Sequence, residues 1–68
     1  MSFSEKVKTV RANLMLTQKE LAKELGVSFA TVNRWESQGI EPQFLTMKKF
    51  ELFCESKGIV FTEEKLNV

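Results

Sequence analysis

The sequence predicts an all-α protein, folded as a compact bundle of four or five helices. Apolar residues recur at helical spacings of three and four along most of the chain. Three glycines and one proline are its main breakers, and they divide it into four segments and a tail. Several segments open with residues that cap helices. Because the chain has only 68 residues, these helices are expected to form one domain around a small core.

The first helix is predicted over about residues 4–13. Its apolar stripe, with spacings of four, three and four residues, consists of Phe3, Val7, Val10 and Leu14. Residues at these spacings share one side of a helix, so this side is expected to face the core. Ser2 or Ser4 is the expected N-cap, because a Ser hydroxyl accepts a hydrogen bond from a backbone N–H of the first turn.

The second helix, residues 18–25, has the clearest boundaries. Thr17 and Glu20 stand three residues apart and form a capping box, in which each side chain accepts a hydrogen bond from a backbone N–H. Gly26 follows the last helical residue, where the chain turns left-handed at a cost of about 1 kcal/mol or more for a residue with a Cβ. Ala22 is small enough to let a neighbouring helix approach closely.

The third helix is predicted over residues 29–36, with Ser28 as its N-cap. Val32 and Trp35 are three residues apart and are expected to point into the core. The opposite face carries no acidic residue and consists of Phe29, Ala30, Asn33 and Arg34.

A loop containing Gly39 and Pro42 precedes a fourth helix over about residues 44–57, which Gly58 ends. One stripe of this helix is formed by Met47, Phe50 and Cys54. Three further apolar residues exceed what one inner face requires, namely Leu45, Leu52 and Phe53. This surplus suggests self-association through the fourth helix and the tail.

The tail, residues 59–68, is read separately from a domain formed by residues 1–58. Ile59 to Phe61 is β-branched and aromatic, and a four-residue turn at residues 62–65 could join it to the alternating Leu66 to Val68. An extended tail or hairpin is favoured. The alternative is a last short helical turn capped by Thr62.

Composition argues against an enzyme. The chain has no His and one Cys, Cys54, so it offers no metal cluster and no disulfide within the chain. No catalytic set, cofactor site or small-molecule site is evident, and 68 residues leave room for a small core but not for a deep catalytic pocket. A lone thiol fits a reducing compartment, and the chain contains neither a membrane span nor a signal peptide pattern. We therefore expect a cytoplasmic protein held together by packing.

Two short helices hinged on Gly26 have the layout of a helix-turn-helix, whose second helix is shaped to enter the major groove of DNA. At the start of that helix, the residues able to approach base edges are Ser28, Phe29, Ala30 and Thr31. Asn33, on the free outer face of the same helix, is also expected to contact DNA, and Arg34, one turn further on, is placed to reach a guanine or a phosphate. The backbone N–H groups at Thr17 and Gln18 open the first helix of the pair and suit a phosphate.

The segment LTQKELAKELGVSFATVNRWESQGIEP resembles the Cro/cI-type (XRE-type) helix-turn-helix proteins, a group that includes phage repressors. The resemblance covers about Val7 to Phe50. It implies a lambda-repressor-like bundle, double-stranded DNA as ligand, and frequently a homodimer on a pseudo-palindromic site. By the same resemblance, Gln18 contacts phosphate and an edge base, the segment from Ser28 to Ala30 reads bases, Arg34 contacts base or backbone, and the loop from Gln38 to Gln43 touches phosphate.

The resemblance also implies an ion pair between Arg11 and Glu36, which would join the first helix to the end of the third. We expect this pair to be partly buried. Two features depart from the family pattern: Glu41 stands where many members carry a basic residue, and the tail beyond Gly58 has no counterpart in the minimal phage domain. Glu41 weakens the expected phosphate contact of the loop.

The charge distribution is compatible with DNA but does not require it. Residues 1–49 hold eight Lys or Arg against five acids, whereas residues 50–68 hold two against four, within a total of +1. The favoured function is a sequence-specific double-stranded DNA-binding transcriptional regulator, either a repressor or a small control protein. The alternative is a protein-interaction module, antitoxin-like or adaptor, that works through the fourth helix and the tail.

Overall fold

A computed structural model describes residues 1–61 of the chain. Within these residues the secondary structure is entirely helical, in the order α1 (Phe3–Leu14), α2 (Gln18–Leu25), α3 (Phe29–Gln38) and α4 (Phe44–Ser56). The all-α bundle expected from the sequence is therefore confirmed, with four helices in the described part. None of these helices is long and apolar enough to cross a membrane.

Side-chain caps set the starts of the first three helices. Ser2 forms a capping box with Glu5 at the start of α1, and Thr17 forms one with Glu20 at the start of α2. The Ser28 hydroxyl accepts a hydrogen bond of 3.1 Å from the Thr31 backbone N–H at the start of α3. These bonds satisfy backbone donors that the first helical turn leaves unpaired.

Left-handed residues terminate these same helices. Gly26 ends α2 with φ of 70°, as its sequence position predicts. Gly39, with φ of 68°, is the first left-handed residue after α3, so this helix continues two residues beyond the predicted residue 36. At the end of α1 the left-handed residue is Met15, with φ of 57°, in a position that usually holds glycine.

The core lies where the four helices meet. Its buried apolar residues are Phe3, Val7, Val10, Leu21, Ala22, Leu25, Val32, Trp35, Phe50 and Cys54. The Phe3 ring meets Trp35 and Phe50 edge to face, with ring centroids 5.4 Å and 5.1 Å apart. Phe3 thus connects α1 to both α3 and α4, and this packing fixes the α2–α3 pair on the remainder of the domain.

The beginning of the tail packs on the domain. The Ile59 backbone N–H donates to the Cys54 carbonyl at 2.9 Å, and the half-buried Ile59 and Phe61 lie against the core. Residues 59–61 are not assigned to a strand. The predicted turn and second half of the hairpin, residues 62–68, lie outside the described residues.

Candidate nucleic-acid interface

The turn between α2 and α3 holds the two helices against each other. The Val27 backbone N–H donates to the Ala22 carbonyl at 3.0 Å, so the chain turns back immediately after Gly26. Ala22 is buried, and its small side chain permits the close approach of the two helices. Val32 and Trp35 anchor α3 in the core and leave its other side outward.

The outward side of α3 carries the predicted base-reading residues. Phe29, Ala30, Asn33 and Arg34 are all exposed. Phe29 has 46% of its surface accessible, and the Lys19 ammonium lies 5.9 Å from its ring centroid. This contact brings α2 and α3 together at one edge of the surface and places a cation beside an apolar ring.

Ser28 and Thr31 act together at the start of α3. Besides the cap bond from the Thr31 N–H, the two hydroxyl oxygens are 2.8 Å apart and hydrogen-bond to each other. Ser28 is exposed and Thr31 half-buried. Both hydroxyls therefore have structural partners, and each retains either a lone pair or its O–H for a ligand.

Arg11 and Glu36 form a bidentate ion pair between α1 and α3. Arg11 Nε donates to Glu36 Oε2 at 2.6 Å, and Arg11 Nη2 donates to Oε1 at 2.8 Å. Arg11 Nη1 also donates to the Leu16 carbonyl at 3.1 Å. The Glu36 side chain is 6% exposed and that of Arg11 25%. These hydrogen bonds hold the pKa of Glu36 below its ordinary value, against the opposing effect of burial.

Two amide side chains extend this ion pair towards the outward side of α3. Gln18 Nε2 donates to Glu36 Oε1 at 3.1 Å, and Asn33 Nδ2 donates to Gln18 Oε1 at 3.2 Å. Sequence reasoning places Gln18 and Asn33 on the interface separately but does not link them, because their contact depends on how α1, α2 and α3 meet. The spacing of 15 residues between them carries no signal of contact.

The other residues predicted to contact DNA are Arg34, Gln38, Gln43 and Thr17. The exposed Arg34 guanidinium makes no hydrogen bond or ion pair with residues 1–61. Gln38 is the last residue of α3, and Gln43 begins α4 without a side-chain cap bond. The Thr17 hydroxyl accepts from the Glu20 N–H, and the Thr17 N–H, predicted to meet a phosphate, instead donates to Glu20 Oε1 at 2.8 Å as the second half of the capping box. Within the described residues, no three His, Cys, Asp or Glu side chains are grouped to hold a metal.

Comparisons with known proteins agree with this architecture. A profile described as helix-turn-helix matches residues 7–57. The chain is also 35% identical over 66 residues to the HTH-type transcriptional activator BcrR of Enterococcus faecalis. This alignment covers 97% of the chain and 30% of that relative, so the chain spans less than a third of its length. No solved structure matches significantly. The chain therefore belongs to the XRE-type helix-turn-helix family.

Proposed function

We propose that the protein regulates transcription by reading a specific double-stranded DNA sequence with α3 in the major groove. The observation that supports this most directly is the division of α3 into two sides. Val32 and Trp35 are buried, whereas Phe29, Ala30 and Asn33 form an outward side without an acidic residue. Phe29 or Ala30 is suited to a thymine methyl group, and Asn33 to a base edge.

Contacts to the phosphate backbone would flank this reading side. The capping box of α2 uses the backbone N–H groups of Thr17 and Glu20, so those of Gln18 and Lys19 are the ones left to suit phosphate oxygens, together with the guanidinium of Arg34. The proposed interface as a whole comprises Thr17, Gln18, Ser28, Phe29, Ala30, Thr31, Asn33, Arg34, Gln38 and Gln43. Glu41, which is exposed in the loop between the last two of these, opposes a phosphate contact there.

We further propose that two copies bind a pseudo-palindromic site through pairing of α4. Three large apolar side chains on α4 are unusually accessible: Phe44 at 78%, Leu45 at 75% and Leu52 at 54%. Pairing would bury this surface and could place two α3 helices about 34 Å apart, one turn of DNA. Leu45→Glu should then reduce the mass measured in solution from dimer to monomer, while an unchanged mass would exclude α4 pairing.

The proposal is tested by selection from a pool of random duplex DNA at low salt, followed by sequencing of the bound fraction. Enrichment of one site supports sequence-specific binding, and a two-fold repeat within it supports the dimer. Retention of duplex DNA without enrichment of any sequence would contradict sequence-specific readout.

The exposed side of α4 also favours a second candidate, a protein-interaction module on the same scaffold. Such a module would use Phe44, Leu45 and Leu52 to bind a partner and would enrich no DNA site.

The sign of regulation, activation or repression, is a separate question. The sequence suggests a repressor, which blocks a promoter by occupying it, or a small control protein, whereas the E. faecalis relative is named an activator. A reporter carrying the selected site upstream of or across its promoter would distinguish the two.

A further inference from the structure

We propose that Asn33 reads an adenine in the major groove and that Gln18 fixes the orientation of its amide. This inference rests on the proposed function and specifies one base contact within it. In this account Asn33 is the specificity-determining residue, and Gln18 is a positioning residue that acts through Asn33.

The direction of the hydrogen bonds follows from Glu36. An ionised carboxylate only accepts hydrogen bonds, and Arg11 already donates to both of its oxygens. Gln18 must therefore turn its NH₂ group towards Glu36 Oε1, from which its Nε2 lies 3.1 Å. The side-chain oxygen of Gln18, Oε1, then points away from Glu36 and needs a hydrogen-bond donor on that side.

Asn33 supplies that donor and is thereby oriented in turn. Its Nδ2 lies 3.2 Å from Gln18 Oε1, so one of its two N–H groups is committed to Gln18. The side-chain oxygen Oδ1 and the second N–H have no hydrogen-bond partner among residues 1–61. A charged group at the buried end of the network thus determines which atoms Asn33 presents at the exposed end.

Asn33 stands at the right place for a base contact. It lies four residues after Phe29 and three after Ala30, so all three share one side of α3. It is exposed, whereas Gln18 behind it is half-buried. The amide therefore lies one helical turn beyond the residues at the start of α3, where the next base pair along the groove would be read.

The free atoms of Asn33 match adenine better than the other bases. Adenine presents the N6 donor beside the N7 acceptor, which pair with an amide oxygen and one amide N–H. Guanine presents two acceptors, O6 and N7, and would require two donors, of which Gln18 has taken one. Cytosine offers only a donor and thymine only an acceptor beside its methyl group, so neither uses both free atoms.

The test compares base preferences of the wild-type chain, Asn33→Ala and Gln18→Met by selection from random duplexes and titration of the selected site. The wild type should prefer adenine over guanine at one base pair per half-site, by about 5- to 150-fold. Asn33→Ala should abolish this preference at that base pair alone. Gln18→Met replaces the amide oxygen that accepts from Asn33 by a thioether, which is at best a weak acceptor, so it should weaken the same preference. Asn13→Ala, at an exposed Asn of α1, is the matched control.

A second readout follows the amide in the absence of DNA. The side-chain ¹H–¹⁵N signals of Asn33 should shift in Gln18→Met, because the hydrogen bond from Nδ2 is lost, and should not shift in Asn13→Ala. Unchanged signals would overturn the positioning role of Gln18. Thermal unfolding followed by circular dichroism checks that each variant is folded.

The outcomes separate this inference from the function on which it rests. Failure of the wild type to enrich any site would overturn the proposed function. Enrichment of a site whose every base preference survives Asn33→Ala would overturn the adenine contact while leaving the function intact. A preference lost in Asn33→Ala but fully retained in Gln18→Met would overturn the role of Gln18.

Discussion

Replacing Arg11 with Met tests whether the ion pair stabilises the fold. The substitution keeps a long apolar stem but removes every donor that Arg11 gives to Glu36 and to the Leu16 carbonyl. Among residues 1–61, Gln18 is then the one remaining hydrogen-bond partner of the Glu36 carboxylate, whose side chain is only 6% exposed. A buried charge left without its counterion is strongly unfavourable.

The expected cost follows from the burial of the two partners. Breaking a fully buried pair costs about 3–5 kcal/mol, whereas an exposed pair contributes under about 1 kcal/mol. Because Glu36 is buried and Arg11 is one quarter exposed, we expect a loss of about 3 kcal/mol for Arg11→Met. Domains of this length have a free energy of unfolding of about 3–10 kcal/mol, so the variant would be near the limit of folding.

Urea unfolding of a double-mutant cycle measures this loss. Arg11→Met, Glu36→Met and the combined variant are compared with the wild type by circular dichroism at pH 7. The combined variant should be more stable than Arg11→Met alone, because it contains no unpaired buried charge. A loss under about 1 kcal/mol in Arg11→Met, with no coupling between the two positions, would refute the reasoning.

Three further predictions concern pH, backbone conformation and thiol reactivity. Because the pKa of Glu36 is lower in the folded than in the unfolded chain, its contribution to stability is present above the ordinary value of 4.5 and is lost as the pH falls through the folded pKa. Urea titrations should show this acid-side loss, and Glu36→Gln should reduce it; an equal loss in both would contradict it. Met15→Gly should raise the free energy of unfolding by about 1 kcal/mol, because Met15 has a left-handed backbone that glycine adopts without strain. The Met15 side chain is 88% exposed, so its removal costs little packing. A lower melting temperature in Met15→Gly would contradict this prediction. Burial raises the pKa of the Cys54 thiol to about 11, so a thiol reagent at pH 8 should label it only after unfolding; rapid labelling of the folded chain would show that the thiol is accessible.

Helix boundaries were largely predictable because local chemistry sets them. Thr17, Glu20 and Gly26 fix both ends of α2, and residues 18–25 are found as predicted. The start of α1 also had a local signal, the Ser2 and Glu5 capping box, which decides between the two Ser N-caps considered. The end of α1 had no local signal in the sequence, because Met15 adopts a left-handed conformation that its residue type disfavours.

The relations between helices were less accessible to sequence reasoning. The inward positions of Val32 and Trp35 follow from their spacing, which is a property of a single helix. The link from Glu36 through Gln18 to Asn33 requires three helices to meet at one point, and no local pattern encodes that. The same holds for α4: Leu45 and Leu52 are exposed, as their surplus over one inner face predicts, but Phe44 is exposed without such a signal and Phe53 packs against the core. Exposure depends on which side of α4 the other helices cover.

The central claim, that the outward side of α3 reads DNA, is tested most directly by titrating the selected duplex over a range of salt concentrations. Phe29→Ala and Arg34→Ala are compared with the wild type and with Lys57→Ala, a charge removed from the far end of α4. Phe29→Ala should weaken binding without changing its salt dependence. Arg34→Ala should weaken it and, for a phosphate contact, lower the slope of log K against log salt by about 1. Lys57→Ala should bind as the wild type does. Equal affinities for all four proteins, each shown to be folded, would contradict the account.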